Sequence, residues 1–278
     1  MINLYAALLN NRLVLATVEV ARKSKLAKRY LCPRCHESVQ LISKADGAYF
    51  KHIAKSSNMM GERAEHAQSK LLLKEALRSV GFDAQVEIPL AQGQLRADVL
   101  ASPRLSFEVQ CAPLSLAELN HRHHLYSEIG IVDVWVVGQR HYLRRQIKKS
   151  QLLFFRKNKL WRDYYLEIDP AKQQLILKYN VLLEPVTTRV HYQKMTFAIN
   201  AQGLRQLWHF QPQIQKYQIN PIGQREYLAR QLMQQTKTGQ SIATALYNRQ
   251  ITVNDLPDEI FSKMRHVGQP NNVLTYLN

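Results

Sequence analysis

The strongest constraint on the fold is a change in hydrophobic periodicity between residues 61 and 137. Apolar residues first recur at intervals of three and four, which predicts an amphipathic helix that ends at Gly81. The apolar stripe of this helix comprises Ala64, Leu71, Leu72, Ala76 and Val80. Strand-like alternation follows in three short stretches separated by turn residues, at 82–88, 95–100 and 105–110.

A second helix and a fourth strand complete this pattern. Ser115 and Glu118 form a capping box, because each side chain can satisfy a free backbone N–H at the start of a helix. The helix should end near Glu128, and the Val-rich run 131–137 has the continuous apolar character of a strand covered on both faces. The predicted order is therefore helix, three strands, helix and strand, in a mixed α/β (α+β) fold.

The rest of the sequence forms two flanking segments. Residues 1–60 read as short strands, with a tight turn at Cys32-Pro33-Arg34-Cys35. Residues 151–278 alternate like strands at first, and amphipathic helices dominate afterwards. We therefore predict three domains: a β-rich N-terminal domain at 1–60, a central α/β domain at 61–150, and a basic, mainly helical α+β region at 151–278.

The net charge of +17, from 38 Lys and Arg against 21 Asp and Glu, predicts a polyanionic partner. Nucleic acid is the favoured partner, and an anionic membrane surface is the rival. A membrane role would have to be peripheral, because no apolar stretch is long enough to span a bilayer. The first residues include no basic n-region, so we expect no signal peptide and a cytoplasmic protein. An odd number of cysteines, three, also differs from the pattern of a secreted disulfide framework.

Positive charge is concentrated between Arg144 and Arg162, where no acidic residue intervenes. The first part of this stretch supplies our candidates for contacts with DNA phosphates, namely Arg144, Arg145, Lys148 and Lys149. Aromatic residues interleave with Lys and Arg between positions 154 and 165. Aromatic residues at strand spacing usually pack in a core, so we expect only the basic side chains there to touch DNA.

Two carboxylates on neighbouring predicted strands are the candidate catalytic centre. Asp98 lies within one apolar strand, and Glu108 and Gln110 share one face of the next because side chains alternate along a strand. If the strands form a hairpin through Ser102-Pro103, the three side chains can meet at one Mg²⁺ or Mn²⁺ ion. The alternative is a pair of acids at the solvated edge of a sheet. The apolar neighbours and the basic chain favour the metal site.

These residues carry a resemblance to a known family. Arg96-Ala97-Asp98 and Glu108-x-Gln110, after a helix with Glu65-His66-x-x-x-Lys70, resemble the competence protein CoiA family. Arg122-x-x-x-Tyr126 and Val134-Trp135 extend the resemblance. It implies a nuclease-like protein that acts on DNA during uptake or recombination in naturally competent bacteria. The predicted order of elements also matches the αβββαβ core of the PD-(D/E)XK superfamily, to which restriction endonucleases belong.

The resemblance implies roles for five side chains. Asp98 and Glu108 would bind the metal directly, and Glu65 would add a third acid or hold the ligands in place. Gln110 departs from the superfamily, whose usual lysine positions the attacking water and stabilises charge in the transition state. Some restriction endonucleases of this fold are similar in having glutamine here. We therefore expect that cleavage is retained, with Lys70 supplying the missing positive charge.

Arg122 and Tyr126 lie one turn apart on the second predicted helix. They could border the cleft together, with the arginine contacting phosphate and the tyrosine stacking on a base. The alternative is a buried tyrosine with a capping arginine, and the spacing fits both interpretations.

The C-x-x-C turn suggests a zinc-ribbon-like element. Cys32 and Cys35 can grip one Zn²⁺, and His52 supplies a third candidate ligand. The resembling family ends this element with a second histidine, and Lys55 stands near that place here. We therefore expect weak zinc binding or none.

Together these features predict a Mg²⁺-dependent deoxyribonuclease that binds the DNA backbone with little sequence preference. We expect single-stranded or branched DNA rather than plain duplex. The alternative is a catalytically weak or inactive adaptor that promotes recombination of incoming single-stranded DNA together with recombination proteins. A third interpretation is a protein-interaction platform whose basic face binds an acidic partner.

Overall fold

A computed structural model describes residues 6–10, 12–21, 28–33, 38–44, 47–52 and 56–278. The chain divides into two compact units, residues 1–63 and 64–278. In the described part of the chain, no helix has the length and apolar character needed to cross a membrane.

The first unit contains a five-stranded antiparallel sheet in the order β2-β1-β3-β4-β5. Its elements are β1 (Ala6–Leu9), β2 (Arg12–Leu15), α1 (Ala16–Ala21), β3 (Tyr30–Leu31), β4 (Ser38–Lys44) and β5 (Gly47–His52). Tyr30 and Phe50 pack in its core with ring centroids 4.9 Å apart. The buried Glu19 carboxylate accepts hydrogen bonds from Lys28 Nζ at 2.8 Å and the Tyr30 hydroxyl at 2.7 Å, which ties α1 to β3.

The candidate zinc ligands fall mainly outside what the structure describes. Cys32 is buried in the core of the first unit. Cys35 lies outside the described residues, and only the backbone of His52, at the end of β5, is described. Weak or absent zinc binding therefore stays a prediction.

The second unit is built on one mixed sheet. Its first part contains α2 (Ser56–Ser79), β6 (Gln85–Leu90), β7 (Leu95–Ser102), β8 (Leu105–Gln110), α3 (Leu116–Glu128) and β9 (Val132–Val137). This is the predicted order of helix, three strands, helix and strand. The β6–β7 and β7–β8 pairs are antiparallel, and β8 and β9 are parallel.

The two helices of this part cover opposite faces of the sheet. Val136 belongs to the same buried cluster as Leu73 of α2, whereas Trp135 clusters with Leu119 of α3. Because successive side chains of a strand point to opposite faces, α2 and α3 lie on different sides. Leu71, expected in the apolar stripe of α2, is exposed, and Leu77 is buried instead.

The same sheet continues past residue 150. Four strands follow, β10 (Arg156–Asn158), β11 (Arg162–Asp169), β12 (Gln174–Leu183) and β13 (Val190–Ala198). The sheet order is β13-β12-β11-β9-β8-β7-β6, with β10 paired to β11. The segment boundary expected near residue 150 therefore does not separate two sheets, because β11 pairs in parallel with β9. Strand β13 was not expected from the sequence.

Helices complete the unit after β13. They are α4 (Ala201–Trp208), α5 (Pro221–Met233), α6 (Lys237–Asn248), α7 (Asp258–Ser262) and α8 (Asn272–Leu277). The last four share a small apolar core around Leu228, Ile242 and Phe261. The region after residue 150 thus contains four strands followed by five helices, and helical residues outnumber strand residues.

Candidate active site

Asp98 and Glu108, here called the carboxylate pair, lie where β7 and β8 part. The ladder between these strands runs from Ser102–Leu105 to Val99–Phe107 and does not extend to the carboxylate pair. Side chains replace the missing ladder bonds. The Asp98 backbone N–H donates to Glu108 Oε1 at 3.3 Å, and the Val109 backbone N–H donates to Asp98 Oδ2 at 2.9 Å. Each carboxylate thus accepts a hydrogen bond from the backbone of the other strand. This arrangement requires β7 and β8 to separate at these residues.

Asp98 faces a histidine and a lysine of α2. Its side chain is 13% exposed, with His66 Nε2 3.1 Å from Oδ2 and Lys70 Nζ 3.7 Å from Oδ1. His66 and Lys70 are one helical turn apart, so both reach the same carboxylate. Burial acts to raise the pKa of Asp98, but His66, the Val109 N–H and Lys70 outweigh it and lower that pKa below its usual value. Asp98 is therefore a carboxylate at neutral pH.

Glu108 is fully buried and is held by α3 on the other face. Its Oε2 accepts from the Arg122 guanidinium, and its Oε1 accepts from the Tyr126 hydroxyl. Ser106 Oγ lies 3.4 Å from the same Oε1. Burial, and then the negative charge of Asp98, raise the pKa of Glu108 to about 7, although Arg122 and Tyr126 oppose this rise.

Lys70 also binds an acid that sequence reasoning missed. Its Nζ contacts Glu87 Oε1, and Arg96 lies 3.2 Å from the other oxygen of that carboxylate. Glu87 adopts a left-handed backbone conformation with φ of 58°, which breaks the regular pairing of β6 with β7. Strand alternation in the sequence cannot reveal such an irregularity.

The contact of His66 with Asp98 was not predicted either. The spacing of four residues between His66 and Lys70 could have indicated it, because this spacing places both side chains on one side of the helix.

Glu65 and Gln110 do not contact the carboxylate pair in the described hydrogen bonds. Glu65 Oε1 accepts the Gln139 backbone N–H at 2.7 Å, and Gln110 Nε2 donates to the Ala112 carbonyl at 2.6 Å. Gly138 makes room for Glu65, because a Cβ there would lie 2.8 Å from Glu65 Oε1. The expected convergence of all these polar groups on one ion is therefore not the arrangement observed.

Tyr126 cannot stack on a base in this arrangement, because it is fully buried. The prediction that it contacts DNA is wrong, and the alternative of a buried tyrosine beside an arginine is the observed one. Arg122 keeps 22% of its side chain exposed and lies over the Trp135 ring at 5.3 Å. Its buried Nε has no hydrogen-bond partner in the described structure.

The four predicted phosphate contacts after β9 are exposed. They are Arg144, Arg145, Lys148 and Lys149. None of them forms an ion pair with an acid of the described residues. Their charge is therefore free to attract an anion, which is compatible with the predicted role but does not test it.

The carboxylate pair offers oxygen donors, although Asp98 is held from α2 and Glu108 from α3. Carboxylate oxygens are the hard ligands that Mg²⁺ prefers, and this ion commonly uses one or two protein carboxylates and completes its shell with water and substrate phosphates. Among the residues that the structure describes, no group of three or more His, Cys, Asp or Glu side chains is placed to hold a metal. The protein side of the site is thus limited to two carboxylates, and Arg122 and the ion would compete for Glu108.

The buried Glu108 makes stability depend on pH when no divalent cation is present. The folded chain binds this proton more tightly than the unfolded chain, because burial raises the pKa to about 7 from 4.5. The contribution is therefore fully present below pH 4.5 and is lost as the pH rises through about 7. Relative to Glu108→Gln, the free energy of unfolding should fall by about 2–3 kcal/mol between about pH 5 and pH 8. Urea denaturation in the presence of a chelator measures this fall. If the free energy of unfolding depended on pH in the same way for both proteins, the prediction would be contradicted.

Comparison with known proteins adds one finding. Residues 62–212 match the family described as competence protein CoiA, nuclease-like domain. Comparisons with curated proteins and with solved structures gave no match. The matched range contains α2 from residue 62 onward, the carboxylate pair and the sheet through β13.

Proposed function

Since the chain belongs to the competence protein CoiA family through its nuclease-like domain, we propose that it is a Mg²⁺-dependent nuclease that hydrolyses DNA phosphodiester bonds during natural transformation. The proposal includes a PD-(D/E)XK core formed by α2, β6 to β8, α3 and β9. The order of these elements supports that assignment. We propose single-stranded or branched DNA as the substrate.

The observation that carries the proposal is the carboxylate pair, which lies where β7 and β8 cease to pair. Two acids within an apolar sheet are costly to bury unless opposite charges or hydrogen-bond donors offset their charge. Here His66 and Lys70 face Asp98, and Arg122 binds Glu108. Burial and the nearby charge of Asp98 nevertheless raise the pKa of Glu108. Convergent acids with shifted pKa values, in a basic protein, are typical of a site that binds a cation and an anionic substrate.

Roles in hydrolysis follow from the contacts. Asp98 and Glu108 would hold Mg²⁺, which lowers the pKa of a bound water and neutralises charge on the phosphate. Lys70 lies 3.7 Å from Asp98 Oδ1, so its ammonium group would be near a phosphate bound to an ion held by this carboxylate. It would then supply the positive charge that Gln110 lacks. His66, on the same carboxylate, keeps Asp98 oriented and ionised.

A second candidate function is DNA binding without cleavage. The pairing of Arg122 with Glu108 favours it, since an arginine already neutralises the acid that a metal would need. In this case the protein would act as an adaptor that delivers single-stranded DNA to recombination proteins.

One assay separates the two candidates. The purified protein is incubated with end-labelled single-stranded, duplex and forked oligonucleotides in Mg²⁺, Mn²⁺ or chelator. A nuclease gives metal-dependent products, and their lengths report whether cleavage is internal or from an end. Stable binding of the same oligonucleotides without products in either metal would favour the adaptor.

Lys70→Ala should lower metal-dependent cleavage by about 10²-fold or more, as expected for loss of a group that stabilises transition-state charge. Lys74→Ala, one turn further along α2, serves as the matched control. Rates are compared under single-turnover conditions at saturating protein. Equal rates for the two variants would reject the role of Lys70.

A further inference from the structure

The β10–β11 hairpin carries a concentration of positive charge far along the sheet from the carboxylate pair. An open depression of about 530 Å³ is lined by Lys157, Asn158, Lys159, Arg162 and His266. In the sheet order, β11 is three strands from β7. At about 4.8 Å per strand, β11 lies about 14 Å across the sheet from β7. We name Lys157, Lys159 and Arg162 the hairpin patch.

The charge of the hairpin patch is not compensated by acids. No acidic residue lines the depression. The neighbouring carboxylate, Asp163, is already paired with His266 at 2.6 Å. In the described part of the chain, Lys157, Lys159 and Arg162 form no ion pair. Three exposed cations around one depression therefore raise the local positive potential, which attracts a polyanion.

The patch is also fixed in position. Asn158 Oδ1 accepts the Trp161 backbone N–H at 2.6 Å and closes the turn. The Trp161 indole donates to the Phe210 carbonyl at 3.0 Å, which anchors the hairpin to the residues that follow α4. Arg162 has a φ of 57°, in the left-handed region that glycine and asparagine tolerate best. The backbone that carries the three basic side chains is therefore held in place, so the turn itself need not become ordered when a ligand binds.

We propose that the hairpin patch is a second nucleic-acid contact, which binds the phosphodiester backbone of the DNA whose hydrolysis is proposed above. The ligand is the backbone rather than the bases, because the exposed side chains of the patch are cations. Trp161 is partly buried, in T-shaped contact with Tyr164 at 5.1 Å, and its indole N–H is bonded to Phe210. Contacts to phosphate carry no sequence information, so the patch would hold DNA across the sheet without selecting a sequence. The inference rests on the proposed function only for the identity of the polyanion.

The test measures the salt dependence of DNA binding with cleavage removed. Asp98→Asn protein in chelator is titrated with a labelled single-stranded oligonucleotide from about 50 to 200 mM salt, alone and with Lys157→Gln, Lys159→Gln and Arg162→Gln combined. Each phosphate contact on a single strand contributes about 0.7 to the slope of log affinity against log salt, so we expect the slope to fall by about 2. The matched control replaces Lys216, Lys237 and Arg249 with glutamine; these residues are exposed and lie outside the hairpin. Circular dichroism checks that both variants are folded.

The outcomes separate this inference from the proposed function. A lower slope for the hairpin variant alone supports the patch, even if the unsubstituted protein never cleaves DNA. Equal slopes for the hairpin and control variants overturn it, even if cleavage is observed. Absence of DNA binding at about 50 mM salt would also overturn it and would point to an acidic protein as the partner.

Discussion

Asp98→Asn should reduce Mg²⁺-dependent DNA cleavage by about 10³-fold. The ion contributes several kcal/mol of transition-state stabilisation, and each 1.36 kcal/mol corresponds to a factor of ten in rate. Asparagine keeps the shape of the side chain and an oxygen for the Val109 N–H, so the fold should be retained. The effect is therefore expected in the rate of the chemical step, measured under single-turnover conditions.

Asp83→Asn is the matched control, because Asp83 is an exposed aspartate outside the carboxylate pair. Metal-free binding of DNA should be the same for both variants within about twofold, since loss of one charge at a partly screened site changes affinity little. If Asp98→Asn cleaves as fast as the control, Asp98 is not a metal ligand. If neither the variant nor the unsubstituted protein cleaves, the adaptor function is favoured.

Glu167→Ala should lower the free energy of unfolding by about 3–5 kcal/mol, because it leaves a buried cation without its partner. Glu167 is 1% exposed and Lys178 is 5% exposed, and Lys178 Nζ lies 2.7 Å from Glu167 Oε1. The same oxygen accepts the Leu143 backbone N–H at 2.6 Å, just before the exposed Arg144 and Arg145. The pair thus connects β11 and β12 to the segment that carries two of the predicted phosphate contacts.

Urea denaturation at constant pH measures this loss. Glu75→Ala is the control, because Glu75 pairs with Lys74 at 3.5 Å but is mostly exposed, and it should cost at most about 1 kcal/mol. The double variant Glu167→Gln and Lys178→Met should recover much of the stability, since it removes both buried charges together. A Glu167→Ala protein as stable as the control would show that the pair contributes nothing to folding.

Local patterns predicted the elements around the site because those patterns are set by neighbouring residues. Strand β8 was predicted with its observed bounds, and Ser115 begins α3, where its side chain accepts from the Glu118 N–H. The continuation of the sheet was not predicted. It depends on the pairing of Val137 with Glu167, thirty residues away in the chain, and hydrophobic alternation contains no information about such a partner.

The distinction between local patterns and contacts that depend on the whole fold also applies to the candidate site. Asp98 and Glu108 were expected to be neighbours because a short hairpin joins their strands, and they are neighbours in the structure. The partners of each acid were harder to predict, because i, i+4 spacing places Arg122 and Tyr126 on one side of a helix without showing that this side is buried. Glu87 could not be found, since its contact with Lys70 depends on an irregularity in β6.

The pairing of β9 with β11 has a practical consequence for work with parts of this protein. A fragment that stops near residue 150 would lack β11, which pairs with β9. Backbone groups of the Val-rich strand Val132–Val137 would then be left unpaired. Exposed apolar strand edges template aggregation. Deletion mapping of the nuclease-like domain should therefore place its first cut beyond Ala198, where β13 ends and the sheet is complete.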